Sequence, residues 1–295
     1  MPAESDRRPA SRRALAACWA GLLVSACPAA ATSPERIVSI NVCTDQLIWT
    51  LVERERIVSL SHLAADPRTS WIGRDAAGIH LNRGSAEEVI ALDPDLIVTV
   101  PFSFRPTVAM LERLGYTVLA LPMAMRLDDI AANLLTLGEA VGERDRAAAL
   151  AATLRADVEQ RTFRGQDRPL FLRYEADGWV TGTDSLVADV ARTAGFSTVG
   201  ERLGFSGGRR VSLETLLGLQ PAMIELGHPW NEPPALVSET LRHPALGALL
   251  ERAARIDVPD ALWLCGSLRT LEALAMLRRA REEMASDFGR DNGGE

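Results

Sequence analysis

Two stretches of the chain share one grammar. Residues 85–98 read SAEEVIALDPDLIV and residues 212–225 read SLETLLGLQPAMIE, so Ser85 matches Ser212, Glu87 matches Glu214, Leu92 matches Leu219 and Pro94 matches Pro221 at one constant offset. Each reads as a Ser-capped helix stopped by Pro and followed by an apolar run, the connector from an amphipathic helix into a buried strand. In the first copy Glu88 takes the capping-box position. Between the copies, Glu143 to Phe163 holds neither Gly nor Pro, and Ala147, Leu150, Ala151, Leu154 and Val158 recur at helical spacing. That spacing predicts one long helix of about six turns. The same element on both sides of a rod predicts two lobes of related design joined by it.

The remaining pattern fits this division. Strand candidates Arg36–Ile40, Arg56–Leu60, Leu96–Val100 and Thr117–Leu121 alternate with helices Thr44–Val52 (Thr44 as N-cap), Ser85–Leu92 and Arg105–Leu114. Beyond the rod, Pro169–Tyr174, Trp179–Thr181, Ala222–Leu226 and a run near Ala261–Leu264 read as strands. Asp184–Ala194, Ser212–Leu219 and Ser267–Glu283 read as helices. Such alternation predicts an α/β fold with a mostly parallel sheet, flanked by helices, in each lobe. The expected divisions are an N-terminal lobe over 34–141, a linking helix over 142–166, a C-terminal lobe over 167–287 and a disordered tail over 288–295.

The first 31 residues read as an export signal. Arg7, Arg8, Arg12 and Arg13 precede the apolar run Ala14–Val24, which is too short to remain as an anchor, and Ala29-Ala30-Ala31 forms a cleavage pattern. A second processing site overlaps it. Val24-Ser25-Ala26-Cys27 reads as a lipobox that would end the signal at residue 26 and tether the chain by a lipid on Cys27. Removing residues 1–31, with their four Arg and two acids, takes the net charge from −7 to −9, which argues against nucleic acid as a partner. Nor is there a Ser-His-Asp order, a nucleophile elbow or a phosphate-cradling glycine loop; Gly204–Gly208 reads as a flexible turn. The chain is thus read as a binding protein, neither an enzyme nor the holder of a cofactor of its own.

SAEEVIALDPDLIVT, the opening RIVSINVCTDQL, the mid-chain helix and SLETLLGLQPAMIEL together resemble the periplasmic substrate-binding proteins of vitamin B12, ferric-siderophore and haem ABC importers. The resemblance covers about Pro34 to Asp287. It implies two α/β lobes bridged by a single long helix with little hinge motion, a ligand cleft between the lobes, periplasmic location, and a monomer that delivers its ligand to an inner-membrane permease dimer. It also implies that one surface Glu per lobe, here Glu87 and Glu214, docks onto Arg residues of that permease. Two anions placed symmetrically would steer and register a two-fold partner, and both also suit the first turn of a helix.

In α/β lobes a ligand lies outside the carboxyl ends of the parallel strands. That rule nominates Asn41, Cys43, Thr44, His62, Phe102, Phe104, Arg105, Met125 and Arg126 in the first lobe. In the second it nominates Tyr174, Trp179, Arg209, Arg210, His228, Trp230 and Cys265. The aromatics suit a flat macrocycle or siderophore rings, and the Arg residues suit carboxylates. A corrinoid or a ferric siderophore stands level as the ligand. Haem would want an axial Tyr174, His62 or His228, and bare zinc or manganese would want His62 and His228 to converge. Cys43 departs from the family opening, where Pro or Ser is more usual. Cys43 and Cys265 leave three readings open: a disulfide across the lobes, thiolates facing the ligand, or two unrelated buried thiols. Cα atoms more than about 7 Å apart would exclude the first.

Overall fold

Ile37, Val38 and Ser39 form strand β1, and all three are buried, as expected of a central parallel strand covered on both faces. The computed structural model describes residues 33–175, 178–227 and 243–291. After β1 (Ile37–Ser39) come α1 (Val42–Leu51), β2 (Ile57–Ser61), β3 (His80–Asn82), α2 (Ala86–Ala91), β4 (Leu96–Thr99), α3 (Arg105–Arg113), β5 (Val118–Ala120) and α4 (Leu127–Val141). The five strands are parallel throughout, in the order β3-β2-β1-β4-β5. Alternate side chains of β1 serve the two faces: Ile37 packs with α1 and α4, Val38 with α2 and α3.

The chain leaves this lobe through α4 and α5 (Arg144–Arg161), joined by a turn at Gly142, whose φ is +77°. The two helices lie against each other, and a Cβ on Gly138 would stand 2.3 Å from that of Ala147, so only glycine permits the approach. The predicted rod is therefore α5, eighteen residues long, or about 27 Å. A partner helix, α4, precedes it and was not assigned from the sequence.

The second sheet contains β6 (Leu170–Tyr174), β7 (Trp179–Val180), β8 (Ser197–Thr198), β9 (Arg209–Arg210), β10 (Met223–Leu226) and β11 (Ala254–Ile256), interleaved with α6 (Leu186–Ala194), α7 (Val199–Leu203), α8 (Leu213–Leu219), α9 (Pro244–Leu250) and α10 (Thr270–Asp291). Its order is β11-β10-β6-β7-β9, with β8 also on β6. β7 runs antiparallel to both its neighbours, β6 and β9, and the other pairs are parallel. Three expectations need correction. Asn41, not Thr44, caps α1. The last strand is Ala254–Ile256, while the run near Ala261–Leu264 expected as a strand begins inside a 3-10 turn, Asp260–Leu262. The final helix continues to Asp291, into the stretch read as a tail.

One hydrophobic core runs through both lobes. It links Ile37 and Leu60 of the first sheet, through Leu134 of α4 and Leu154 of α5, to Phe171, Met223 and Leu277 of the second lobe. A separate cluster under α8 and α9 fills the outer face of the second sheet.

Candidate functional site

In the first sheet the chain runs outward from β1 to β3 and then returns to β4. The carboxyl ends of β1 and β4 thus flank the switch point of an open α/β sheet. Asn41 joins their two loops: its Oδ1 accepts from the Cys43 N–H at 2.8 Å and its Nδ2 donates to Ser103 Oγ at 2.9 Å. Four residues on, Asp45 is wholly buried and accepts from the Ser61 N–H at 3.1 Å and hydroxyl at 2.5 Å. Burial pushes its carboxyl up to about 7, against the pull of its hydrogen bonds with Ser39 and Ser61.

Facing this point is the loop after the Asp260–Leu262 turn. Cys43 and Cys265 are disulfide-bonded, with Cα atoms 5.0 Å apart across a sequence separation of 222. Around the bond the lobes are in direct contact. A Cβ on Gly266 would lie 2.3 Å from Cβ of Ala124 and 2.9 Å from Cγ1 of Ile130. The void lined there by Cys43, Leu121, Met123, Leu264 and Gly266 measures about 20 Å³, room for about one water. Asp189 of α6 makes a second crossing, accepting from the Leu127 N–H at 2.9 Å and lying 4.0 Å from Arg126.

A buried ionic cluster holds the second lobe's side of this joint. Arg173 on β6 donates to Glu225 of β10 and to Asp260, each at 2.7 Å, and to Glu175 at 3.0 Å. Trp263 Nε1 donates to the same Glu225 oxygen at 2.7 Å. Burial, reinforced by Asp260 and Glu175 and opposed by Arg173, raises the Glu225 carboxyl to about 7. Sequence reasoning missed this cluster, although a charge inside each of the apolar strands LFLRY and MIEL was its visible signal.

Exposed apolar side chains gather at the strand carboxyl ends: Leu63 after β2, Phe102 after β4, Met123 and Met125 after β5, Leu264 beside the disulfide, and Trp179 where the chain turns back from β6. Phe102 is 73% exposed and Trp179 43%. The Arg105 guanidinium stands 5.5 Å from the Phe102 ring centre and that of Arg209 4.3 Å from the Phe205 ring. His62 and Arg126 are exposed, as are Arg209 and Arg210 on the edge strand β9. Phe104, at φ +51°, rests its ring on Gly84.

Other nominated residues are not available to a ligand. Thr44 is fully buried and bonded to Ser39 Oγ at 2.8 Å, because it lies on the inward face of α1. Tyr174 is 1% exposed in the core under α8, and Cys265 is equally buried. His228 and Trp230 lie outside the described residues, as do Cys27 and the rest of the signal. Among the described residues no group of three or more His, Cys, Asp or Glu is placed to hold a metal ion, and no helix is long and apolar enough to cross a membrane. A larger cavity of about 550 Å³, lined by Leu217, Pro221, Leu249, Arg252 and Met284, opens at the amino ends of β10 and β11, away from the strand ends that carry the site.

Glu87 and Glu214 are both exposed in the first turns of their helices. Glu88, not Glu87, closes the capping box with Ser85, which leaves Glu87 outside it. The backbone N–H of Glu214 and the Ser212 hydroxyl hold the Glu214 carboxyl below its usual range.

Comparisons with known proteins agree with this architecture. A curated relative, the cobalamin-binding protein of Halobacterium salinarum, is 27% identical over 168 residues, covering 56% of this chain and 46% of that protein. The match thus spans less than half of that relative. A periplasmic heme binding protein from Pseudomonas aeruginosa superposes with a TM-score of 0.68 at 23% identity, over 84% of this chain and 92% of its own. The periplasmic vitamin B12 binding protein of Vibrio cholerae superposes with a TM-score of 0.62 at 18% identity, over 84% and 96%. At these identities the two structures bear on the fold alone. The profile of the family described as periplasmic binding protein matches residues 37–247, well over half of the sequence. The chain therefore belongs to the periplasmic binding protein family.

Proposed function

We propose that this protein is the substrate-binding component of an ABC importer and that its ligand is a corrinoid of the vitamin B12 type, captured in the periplasm and handed to a permease dimer. The observation that carries this is the set of exposed apolar side chains at the strand carboxyl ends of both lobes, Phe102, Met123 and Met125 in the first and Leu264 and Trp179 in the second, with Met123 and Leu264 lining one void beside the disulfide. Such a rim suits the edge and face of a bulky macrocycle, and removing these surfaces from water supplies the binding energy. A corrinoid brings its own metal and its own ligands to it. Haem fits less well. Tyr174 is buried and Tyr116 packs partly buried under α3, so neither phenol is presented as an axial ligand, and His62 is the described residue left for that role. A ferric siderophore is the second reading, favoured by Arg105, Arg126 and Arg209 around the same rim.

Export by the N-terminal signal, with or without a lipid on Cys27, belongs to the same proposal, as does docking through Glu87 and Glu214. The deciding experiment titrates cyanocobalamin, cobinamide, haemin and ferric hydroxamate siderophores into the mature protein and follows tryptophan fluorescence. Cyanocobalamin and cobinamide are expected to quench it saturably, and Phe102→Ala with Trp179→Ala to weaken binding by about tenfold or more. No saturable quenching by any of these compounds refutes the proposal.

A further inference from the structure

We propose that the Cys43–Cys265 bond is a redox-operated clamp that fixes the separation of the two lobes and so holds the cleft in its binding geometry. Its two ends are anchored in rigid ground. Cys43 sits in the first turn of α1, with its N–H held by Asn41 at 2.8 Å and the same turn tied to β2 through Asp45 and Ser61. Cys265 follows Trp263, which hydrogen-bonds Glu225 at 2.7 Å, and the Cys265 carbonyl accepts from Thr270 Oγ1 at 3.4 Å. Arg173 ties Asp260, at the start of the same turn, to β6 and β10. A cross-link between two anchored points transmits constraint in a way that one between floppy loops does not. The bond also lies where the carboxyl ends of the first sheet meet the second lobe, and among the described residues it is the one covalent tie between the lobes besides the backbone that runs through α5.

The two sulfurs are unequal. Cys43 is half-buried and Cys265 is 1% exposed. A dithiol reductant therefore attacks Cys43 Sγ; the S–S bond breaks, and Cys265 leaves as a thiolate that takes up a proton. The second thiol of the reductant then displaces Cys43 from the mixed disulfide. Two electrons and two protons pass to the protein, and the reductant ends as its own disulfide. What remains at the joint is the close contact of Gly266 with Ala124 and Ile130, and the Asp189 bridge to Leu127 and Arg126. These hold the lobes together but allow the cleft to breathe.

Hydrogen exchange on the full mature chain, before and after dithiothreitol, tests the clamp without reference to any ligand. The expected result is that amides of residues 41–46 and 262–270 exchange about tenfold faster once reduced, while those of β1 and β6 do not change. The Cys43→Ser, Cys265→Ser double variant should match the reduced protein and ignore dithiothreitol. Unchanged exchange overturns the clamp. Its effect on the cleft rests on the proposed function and is read with cyanocobalamin and haemin, for which the probe that binds should lose about fivefold or more in affinity on reduction. Equal affinity in both states overturns that effect. Failure of both probes to bind the oxidised protein counts against the proposed ligand, and exchange still decides the clamp.

Discussion

Replacing Arg173 by Met removes the guanidinium that ties Glu225, Asp260 and Glu175 together and takes that partner from Glu225 and Asp260, which are both buried. The Arg173 side chain is 7% exposed, with Glu225 and Asp260 at 1% and 8%, so water does not screen the loss. Taking away one partner of such a pair costs about 4 kcal/mol, and in a domain of this size each kcal/mol lowers the melting temperature by about 2 °C. A fall of about 8 °C at pH 8 is expected. The loss should depend on pH in a definite sense. The Glu225 carboxyl already sits at about 7 in the fold against an ordinary 4.5, so the native state holds that proton more tightly than the unfolded chain, and stability rises as pH falls from about 7 towards 4.5. Without Arg173 the proton is held more tightly still, and at pH 5 a neutral Glu225 no longer needs the cation. The fall should then shrink to about half. Adding Glu225→Gln should recover most of it at pH 8. Circular-dichroism melts of the three proteins at both pH values provide the assay. A fall under about 2 °C at pH 8, or an equal fall at both pH values, refutes the reasoning.

Asp45→Asn keeps an acceptor for the Ser61 N–H and a donor for its hydroxyl, yet removes the cost of ionising a fully buried carboxyl that titrates at about 7. Because that cost appears as pH rises from about 4 to 7, the variant should gain up to about 4 kcal/mol at pH 8 and nothing near pH 4, measured by urea unfolding. Gly266→Ala drives a methyl into Ala124 and Ile130 and should lose about 1–3 kcal/mol in the same assay, with the disulfide intact by mass. Removing both cysteines releases a loop of 222 residues from the unfolded chain; chain entropy sets the loss at about 5 kcal/mol, or about 10 °C in a thermal melt. Glu87→Arg with Glu214→Arg should abolish uptake in a transport assay while ligand affinity stays within about twofold of the parent.

The paired helix-to-strand elements were legible because their signals are local. Ser85, Ser212, Pro94 and Pro221 cap or stop helices within a turn of themselves, and the structure shows Ser85 and Ser212 as N-caps. α4 escaped because it starts at Arg126 with no Ser, Thr, Asp or Asn cap, straight out of a stretch read as loop. The run ALWL looked like a strand from its hydrophobicity alone. Asp260 beside it is drawn to Arg173, and that tie, with Pro259 ahead of it, winds the segment into a turn. The ionic cluster was hidden for a related reason: Arg173, Glu225 and Asp260 come from three elements far apart in sequence, and only the packed sheet brings them together. The strand-end rule points to loops and does not tell which side chains of α1 turn inward, so it nominates Thr44, which is buried, and passes over the exposed Met123 and Leu264.

The connection between the lobes has a topological consequence. α5 is largely solvent-facing and presents Arg144, Arg146, Arg155 and Arg161, bonds that a trypsin-like protease cuts. Cys43 and Cys265 lie near opposite ends of the described chain, so peptide backbone and disulfide together close a covalent ring around almost the whole molecule. A single nick anywhere between Thr44 and Leu264 opens the ring without dividing it. The cut protein still migrates as one piece until thiol is added, and its two lobes stay side by side on a core that neither can bury alone.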